Sequence, residues 1–161
     1  MKTFPVWKTV KLGTYTSQNA LKNDLKKKGV LMDNWVPNII TEPAFTIERE
    51  KRKIDLVNVS VTDLGFTKCA PLRDIYNRAF KLDLLLCPAE VGPQLRLQYY
   101  NQPKGDWLCV ATEPIIAPGG YQCIFNVARS VGSSQRFLYM LCGHFDNMWK
   151  PDDRFLFVFR M

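Results

Sequence analysis

The sequence predicts an α+β fold: a mostly antiparallel sheet, built as a C-terminal meander, with one or two helices packed on one face. Three observations predict it. Apolar side chains recur at helical spacing over residues 72–80. From Gln94 onward, short alternating runs are separated by Gly, Pro and Ser turns. A composition of 47% apolar and 12% aromatic residues in 161 supplies the core of one domain spanning residues 1–161.

Residues 4–12 form a short strand or extended arm that Gly13 ends. A first helix follows, with Ser17 as its N-cap and Ala20, Leu21, Leu25 and Lys28 sharing a face. Lys26, Lys27 and Lys28 load the last turn, where cations suit the helix dipole, and Gly29 stops it. Residues 31–43, with Trp35, Pro37 and Pro43, form a connection that has room for a short helical turn. Phe45 to Ile47 and Ile54 to Val61 read as strands around the mixed-charge run Glu48–Lys53, an exposed loop or hairpin end.

The second helix is the clearest element. Pro71 suits its first turn. Leu72, Ile75, Tyr76, Ala79 and Phe80 form the stripe that faces the sheet, and Arg73, Asp74, Asn77, Arg78 and Lys81 lie on the wet side. Leu84 to Cys87 is a short apolar run, either a buried strand or the entry to a turn. Pro88, Gly92 and Pro93 then change the chain's direction. Leu95, Leu97 and Tyr99 alternate with Arg96, Gln98 and Tyr100, which predicts a strand with the polar set outward. Trp107–Thr112, Tyr121–Ala128, Gln135–Cys142 and Phe155–Arg160 complete the meander. Its last strand, with Phe155, Phe157 and Phe159 on one face, is an aromatic edge that could pair with a second copy.

The net charge is +7, from 22 Lys/Arg and 15 Asp/Glu. Residues 1–60 hold 11 basic against 6 acidic side chains, so most of the excess lies in the first third. That surface makes nucleic acid or another polyanion a candidate partner. Lys26, Lys27, Lys28, Lys51, Arg52 and Lys53 are the candidate contacts, with Lys22 beside them and Trp7, Tyr15 and Trp35 available to stack on bases. No run approaches the roughly 20 apolar residues of a membrane span. The first residues lack the apolar run of a secretory signal, so a cytoplasmic location is expected.

Cys69, Cys87, Cys109, Cys123 and Cys142 are scattered, with no Cys-x-x-Cys pair. They are expected to be reduced, mostly buried thiols. His144 is the lone histidine, and a base oriented by Asp146 is the one catalytic pair to consider, for a small hydrolase or nuclease. Asp152 and Asp153 follow nearby, but the spacing matches no calcium loop, and no metal or cofactor is expected. There is no phosphate-binding Gly-x-x-x-x-Gly-Lys loop, no dinucleotide fingerprint and no Gly-x-Ser-x-Gly elbow. Glu90, Arg96, Gln98 and Tyr100 cluster at the Pro/Gly turn and the strand after it, and form a candidate ligand-binding row.

Several stretches together carry a resemblance. They are Trp7-Lys8-Thr9-Val10-Lys11-Leu12-Gly13, Asp63-Leu64-Gly65-Phe66, Leu72-Arg73-Asp74-Ile75-Tyr76, Leu86-Cys87-Pro88-Ala89-Glu90-Val91-Gly92-Pro93-Gln94-Leu95-Arg96-Leu97, Gln102-Pro103, Trp107-Leu108 and Asp152-Asp153-Arg154-Phe155. Over nearly its whole length the chain resembles a family of small uncharacterised bacterial proteins of the kind carried on mobile elements or gene cassettes. It departs at Cys69, where that pattern has Gly, and at Lys81-Leu82-Asp83-Leu84. The resemblance implies no activity. With no convergent catalytic set in the chain, the expected function is a non-enzymatic binding or accessory protein. A nucleic-acid binder using the basic first third and a hydrolase using His144 are the alternatives.

Overall fold

The computed structural model describes residues 3–160. In chain order the elements are β1 (Lys8–Leu12), α1 (Gln18–Lys27), β2 (Leu31–Met32), α2 (Trp35–Ile40), β3 (Arg52–Ser60), a 3-10 turn (Thr62–Leu64), β4 (Ala70–Pro71), α3 (Leu72–Lys81), β5 (Leu84–Leu85) and α4 (Val91–Gln98). They continue with β6 (Trp107–Val110), β7 (Ile115–Ile116), β8 (Gln122–Arg129), β9 (Arg136–Cys142), β10 (Met148–Trp149) and β11 (Arg154–Phe159). None of the helices among these residues is long and apolar enough to cross a membrane.

The fold is α+β, but the sheet is mixed and is not the expected antiparallel meander. Its order is β1-β3-β11-β6-β8-β9-β2, with β11 parallel to β6 and β2 parallel to β9. Part of the meander is kept: β8–β9 is the hairpin that the turn at 130–135 announces, β7–β8 closes across the turn at 118–120, and β6 pairs antiparallel with β8. The last strand breaks the rest. Phe155 and Phe157 are fully buried, so β11 inserts between β3 and β6 instead of closing an edge. The expected aromatic edge therefore lies in the middle of the sheet.

Helices also cover both faces, not one. Val57, Val59, Cys109, Phe155 and Phe157 pack on one side with Leu72, Ile75, Tyr76 and Ala79 of α3. Val10, Leu12, Leu56, Val110, Phe125, Val127 and Leu156 pack on the other with α1, α2 and α4. The α3 stripe holds as read, except at its end. Ile75 is fully buried, but Phe80 is 45% exposed, its ring 6.4 Å from that of Tyr76 at the rim of a hollow that Leu86 and Phe145 also line.

The largest departure is α4. Residues expected as a strand form a helix. Pro93 falls in the first turn, where a missing N–H costs nothing. The helix has no exposed face at Val91, Gly92, Pro93, Gln94, Leu95 or Arg96, so it carries no apolar stripe to announce it, and Leu95/Leu97/Tyr99 imitates strand alternation. It contacts β1, β8 and β9. Those strands are up to five steps apart in the sheet, roughly 24 Å if flat, while the helix is about 12 Å long. One helix can touch all three only because the sheet curls around it as a half-barrel. Gly92 permits the closest approach: a Cβ there would sit 2.6 Å from Phe125 Cγ.

Phe45 is fully buried as an anchor, but 45–47 forms no strand, and the charged run 48–51 is a loop leading into β3. In α1 the Ser17 hydroxyl accepts the Ala20 N–H at 3.0 Å, and Leu21 and Leu25 are buried. Lys28 is exposed and ion-paired with Asp24 at 3.1 Å, so it leaves the apolar face assigned to it.

Candidate functional site

Helix α4 decides the fate of the expected ligand row. Glu90, Gln94 and Gln98 stand one turn apart on one side. The Glu90 carboxylate accepts from Gly13 N–H at 2.7 Å, Glu48 N–H at 2.9 Å and Gln94 Nε2 at 3.2 Å. Gly13 has φ +73, and a Cβ there would lie 2.1 Å from Glu50 O, so this turn admits no side chain. Gln98 donates to Lys11 O at 2.8 Å and accepts Lys11 N–H at 2.9 Å. Its amide thus fills the outer edge of β1 as a neighbouring strand would.

Arg96 points elsewhere and is fully buried. Nη1 donates to Gln102 Oε1 at 2.7 Å, Ala128 O at 2.8 Å and Phe137 O at 3.3 Å, and Nη2 to Tyr99 O at 2.6 Å. Burial, with Arg136 and Arg129 nearby, lowers its pKa to about 10. The outward row expected of Arg96, Gln98 and Tyr100 is therefore corrected. On a buried helix these side chains diverge; Glu90, Arg96 and Gln98 bind the protein's own backbone, and Tyr100 alone is open, at 69%.

The basic candidates separate into two groups. Lys26, Lys27 and Lys28 end α1 next to β9, where Arg136 donates to Lys28 O at 3.2 Å. Lys51 precedes β3, and Arg52 and Lys53 begin it beside β1, toward the opposite edge of the sheet. There Lys11 lies directly across from Lys53, while Arg52 is paired with Glu48 at 2.6 Å. The proposed stacking rings are engaged: Trp7 meets Tyr99 edge-on at 5.2 Å, and the Tyr15 hydroxyl donates to Asp24.

His144 is 57% exposed, and its Nδ1 accepts the Asp146 N–H at 3.1 Å. The Asp146 carboxylate is taken by Arg73 at 2.7 Å and stands 3.8 Å from the imidazole. Asp153 accepts the Lys150 N–H at 2.7 Å in an exposed turn. No group of three metal-ligating side chains occurs among the described residues.

What His144 does border is a cleft of about 560 Å³ that the sequence reading did not identify. Its walls are Trp35 at the start of α2, Tyr121 and Gln122 at the start of β8, and Met140, Leu141 and Cys142 on β9. Trp35 and Tyr121 are 40% and 62% exposed and meet edge-to-face at 5.3 Å. Asp33 sets this geometry. Its Oδ1 accepts the N–H groups of Trp35 and Val36, both at 3.0 Å, and its Oδ2 accepts the Met140 N–H at 2.8 Å. One carboxylate therefore caps α2 and fastens it to β9. Gln122 is one of the lining residues, and its Oε1 is buried without a hydrogen-bond partner. Trp35 had signalled itself only as a base-stacking ring, and Tyr121 only as the residue after the Gly119-Gly120 turn.

All five cysteines are free; Cys87, Cys109 and Cys123 are buried, and Cys69 and Cys142 exposed. Comparison with protein-family models, curated proteins and solved structures finds no match to the chain.

Proposed function

We propose that the chain is a non-enzymatic binding protein whose ligand site is the cleft between α2 and the β8–β9 hairpin. The carrying observation is the combination of the exposed Trp35 and Tyr121 rings with the buried, unpaired Gln122 Oε1. Exposed rings around a concavity favour a flat apolar group. An unpaired buried acceptor favours a ligand that brings an N–H or O–H. The resemblance to small bacterial proteins of mobile elements makes an accessory role in that setting part of the same reading. The arrangement at His144 gives the hydrolase alternative little support, because Arg73 holds the carboxylate that would orient the imidazole.

Calorimetric titration with 2-naphthamide, a neutral planar amide, tests this. The N,N-dimethyl analogue, which has no N–H, binds about fivefold more weakly, the worth of one hydrogen bond of about 1 kcal/mol. Trp35→Ala weakens 2-naphthamide about tenfold, the loss of one ring contact. Equal affinities across all three titrations refute the assignment.

The Lys11–Lys53 juxtaposition favours a second reading, a polyanion surface at the β1–β3 edge. Like charges placed directly opposite destabilise a ladder, and an anion relieves them. Binding of a single-stranded oligonucleotide there falls steeply with salt and with Lys53→Glu. Salt-independent binding rules it out.

A further inference from the structure

Cys123 on β8 and Cys142 on β9 are direct partners in the antiparallel ladder. The Gly143 N–H donates to Gln122 O at 2.8 Å, so the pair next along the ladder is the hydrogen-bonded one. That makes Cys123/Cys142 the non-hydrogen-bonded pair, in which Cα atoms lie about 4.5 Å apart with both side chains on the same face. This spacing falls at the short end of the range a disulfide spans, roughly 4.4–6.8 Å between Cα atoms. Gly143 holds the strand ends close: a Cβ there would lie 2.9 Å from Ile124 Cγ2 and 3.1 Å from the Cys123 carbonyl carbon.

We infer that Cys123 and Cys142 are a redox site, a cross-strand dithiol that closes to a disulfide in the wall of the cleft. The oxidant is a small-molecule disulfide of the glutathione class. Cys142, the exposed partner, loses its proton and attacks one sulfur of that disulfide. The oxidant's S–S bond breaks, one thiolate leaves and takes up a proton, and Cys142 carries a mixed disulfide. Cys123, 7% exposed, then loses its proton and attacks Cys142 Sγ. The second thiolate leaves and is protonated. Two protein thiols are oxidised to one disulfide, and one small disulfide is reduced to two thiols. Burial raises the pKa of the Cys123 thiol, so Cys142 is the entry point and Cys123 the resolving group.

Closure also reaches the cleft. The reduced Cys123 thiol donates to Tyr121 O at 3.8 Å. Bridging removes that donor beside the residue whose ring walls the cleft. The bridge does not depend on the ligand reading, and its test contains no ligand.

The full chain is equilibrated with oxidised and reduced glutathione, quenched with acid, and mapped by mass spectrometry without reduction. The expected result is a peptide linking Cys123 to Cys142, loss of two thiols from the native titre, and reversal by reduced glutathione. Cys123→Ser accumulates a stable glutathione adduct on Cys142, whereas Cys142→Ser leaves Cys123 unmodified. Far-UV circular dichroism verifies that each variant is folded, and if one is not, the unsubstituted chain decides alone. A mixed disulfide that persists on Cys142 in the unsubstituted chain, or a linkage that uses Cys69, overturns the inference.

Discussion

Replacing Arg96 with Lys keeps the charge and removes the planar fork. In the parent, two guanidinium nitrogens reach four acceptors between 2.6 and 3.3 Å: Gln102 Oε1 and the carbonyls of Ala128, Phe137 and Tyr99. A lysine ammonium has three donors around a single nitrogen, so it cannot occupy both positions. Even if the ammonium keeps the three acceptors that Nη1 serves, Tyr99 O loses its partner in a site closed to water. A hydrogen bond from a charged donor contributes about 1.5–3 kcal/mol, which sets the loss at about that much or more. Gln102 feels it next, because its Nε2 donates to Asp106 Oδ2 at 3.0 Å and Val127 O at 3.1 Å and its position depends on Arg96. Urea unfolding of parent and variant, read by tryptophan fluorescence with equal slopes, measures it. At a slope of about 2 kcal/mol per molar, the midpoint moves down by roughly 0.75–1.5 M. A change below about 0.5 kcal/mol would refute the view that this arginine fastens α4 into the hollow.

Three further outcomes follow from the same geometry. Gly92→Ala places a methyl 2.6 Å from Phe125 Cγ and costs about 2–3 kcal/mol in the same urea assay; a neutral effect means that α4 does not lie on β8. The Tyr15 hydroxyl bond, with Lys28 and Lys27, holds the Asp24 pKa below its ordinary value, so this contribution is present above about pH 4 and is lost as pH falls through the folded-state value. Tyr15→Phe therefore flattens the acid limb of the stability–pH curve, and an unchanged limb contradicts the assignment. Asp33→Ala removes the cap of α2 and its tie to Met140, costs about 1–2 kcal/mol and weakens 2-naphthamide binding; unaltered binding shows that Trp35 is positioned without it.

The elements with one wet side were legible in the sequence. Ser17, Leu21 and Leu25 mark α1, and Leu72, Ile75, Tyr76 and Ala79 mark α3, because a contrast between faces leaves a period in the chain. Helix α4 left none, being enclosed over most of its surface, and its polar residues were mistaken for an outward row because their partners are backbone groups as distant as Gly13, Lys11 and Ala128. The place of β11 was hidden for a related reason: Phe155 and Phe157 announce burial but not which neighbours bury them. The cleft could not be read at all. It joins Trp35 to Met140 through one carboxylate, Asp33, and to Tyr121 by a ring contact, and nothing local in the chain reports either.

Amide and indole shift mapping in two-dimensional nitrogen–proton NMR, with 2-naphthamide added stepwise, tests the central assignment most directly. The assignment predicts saturable shifts concentrated at Trp35, including its indole N–H, and at Tyr121, Gln122, Met140 and Leu141. Shifts that gather instead around Lys11, Lys51 and Lys53, or that scatter over the surface without saturating, contradict it.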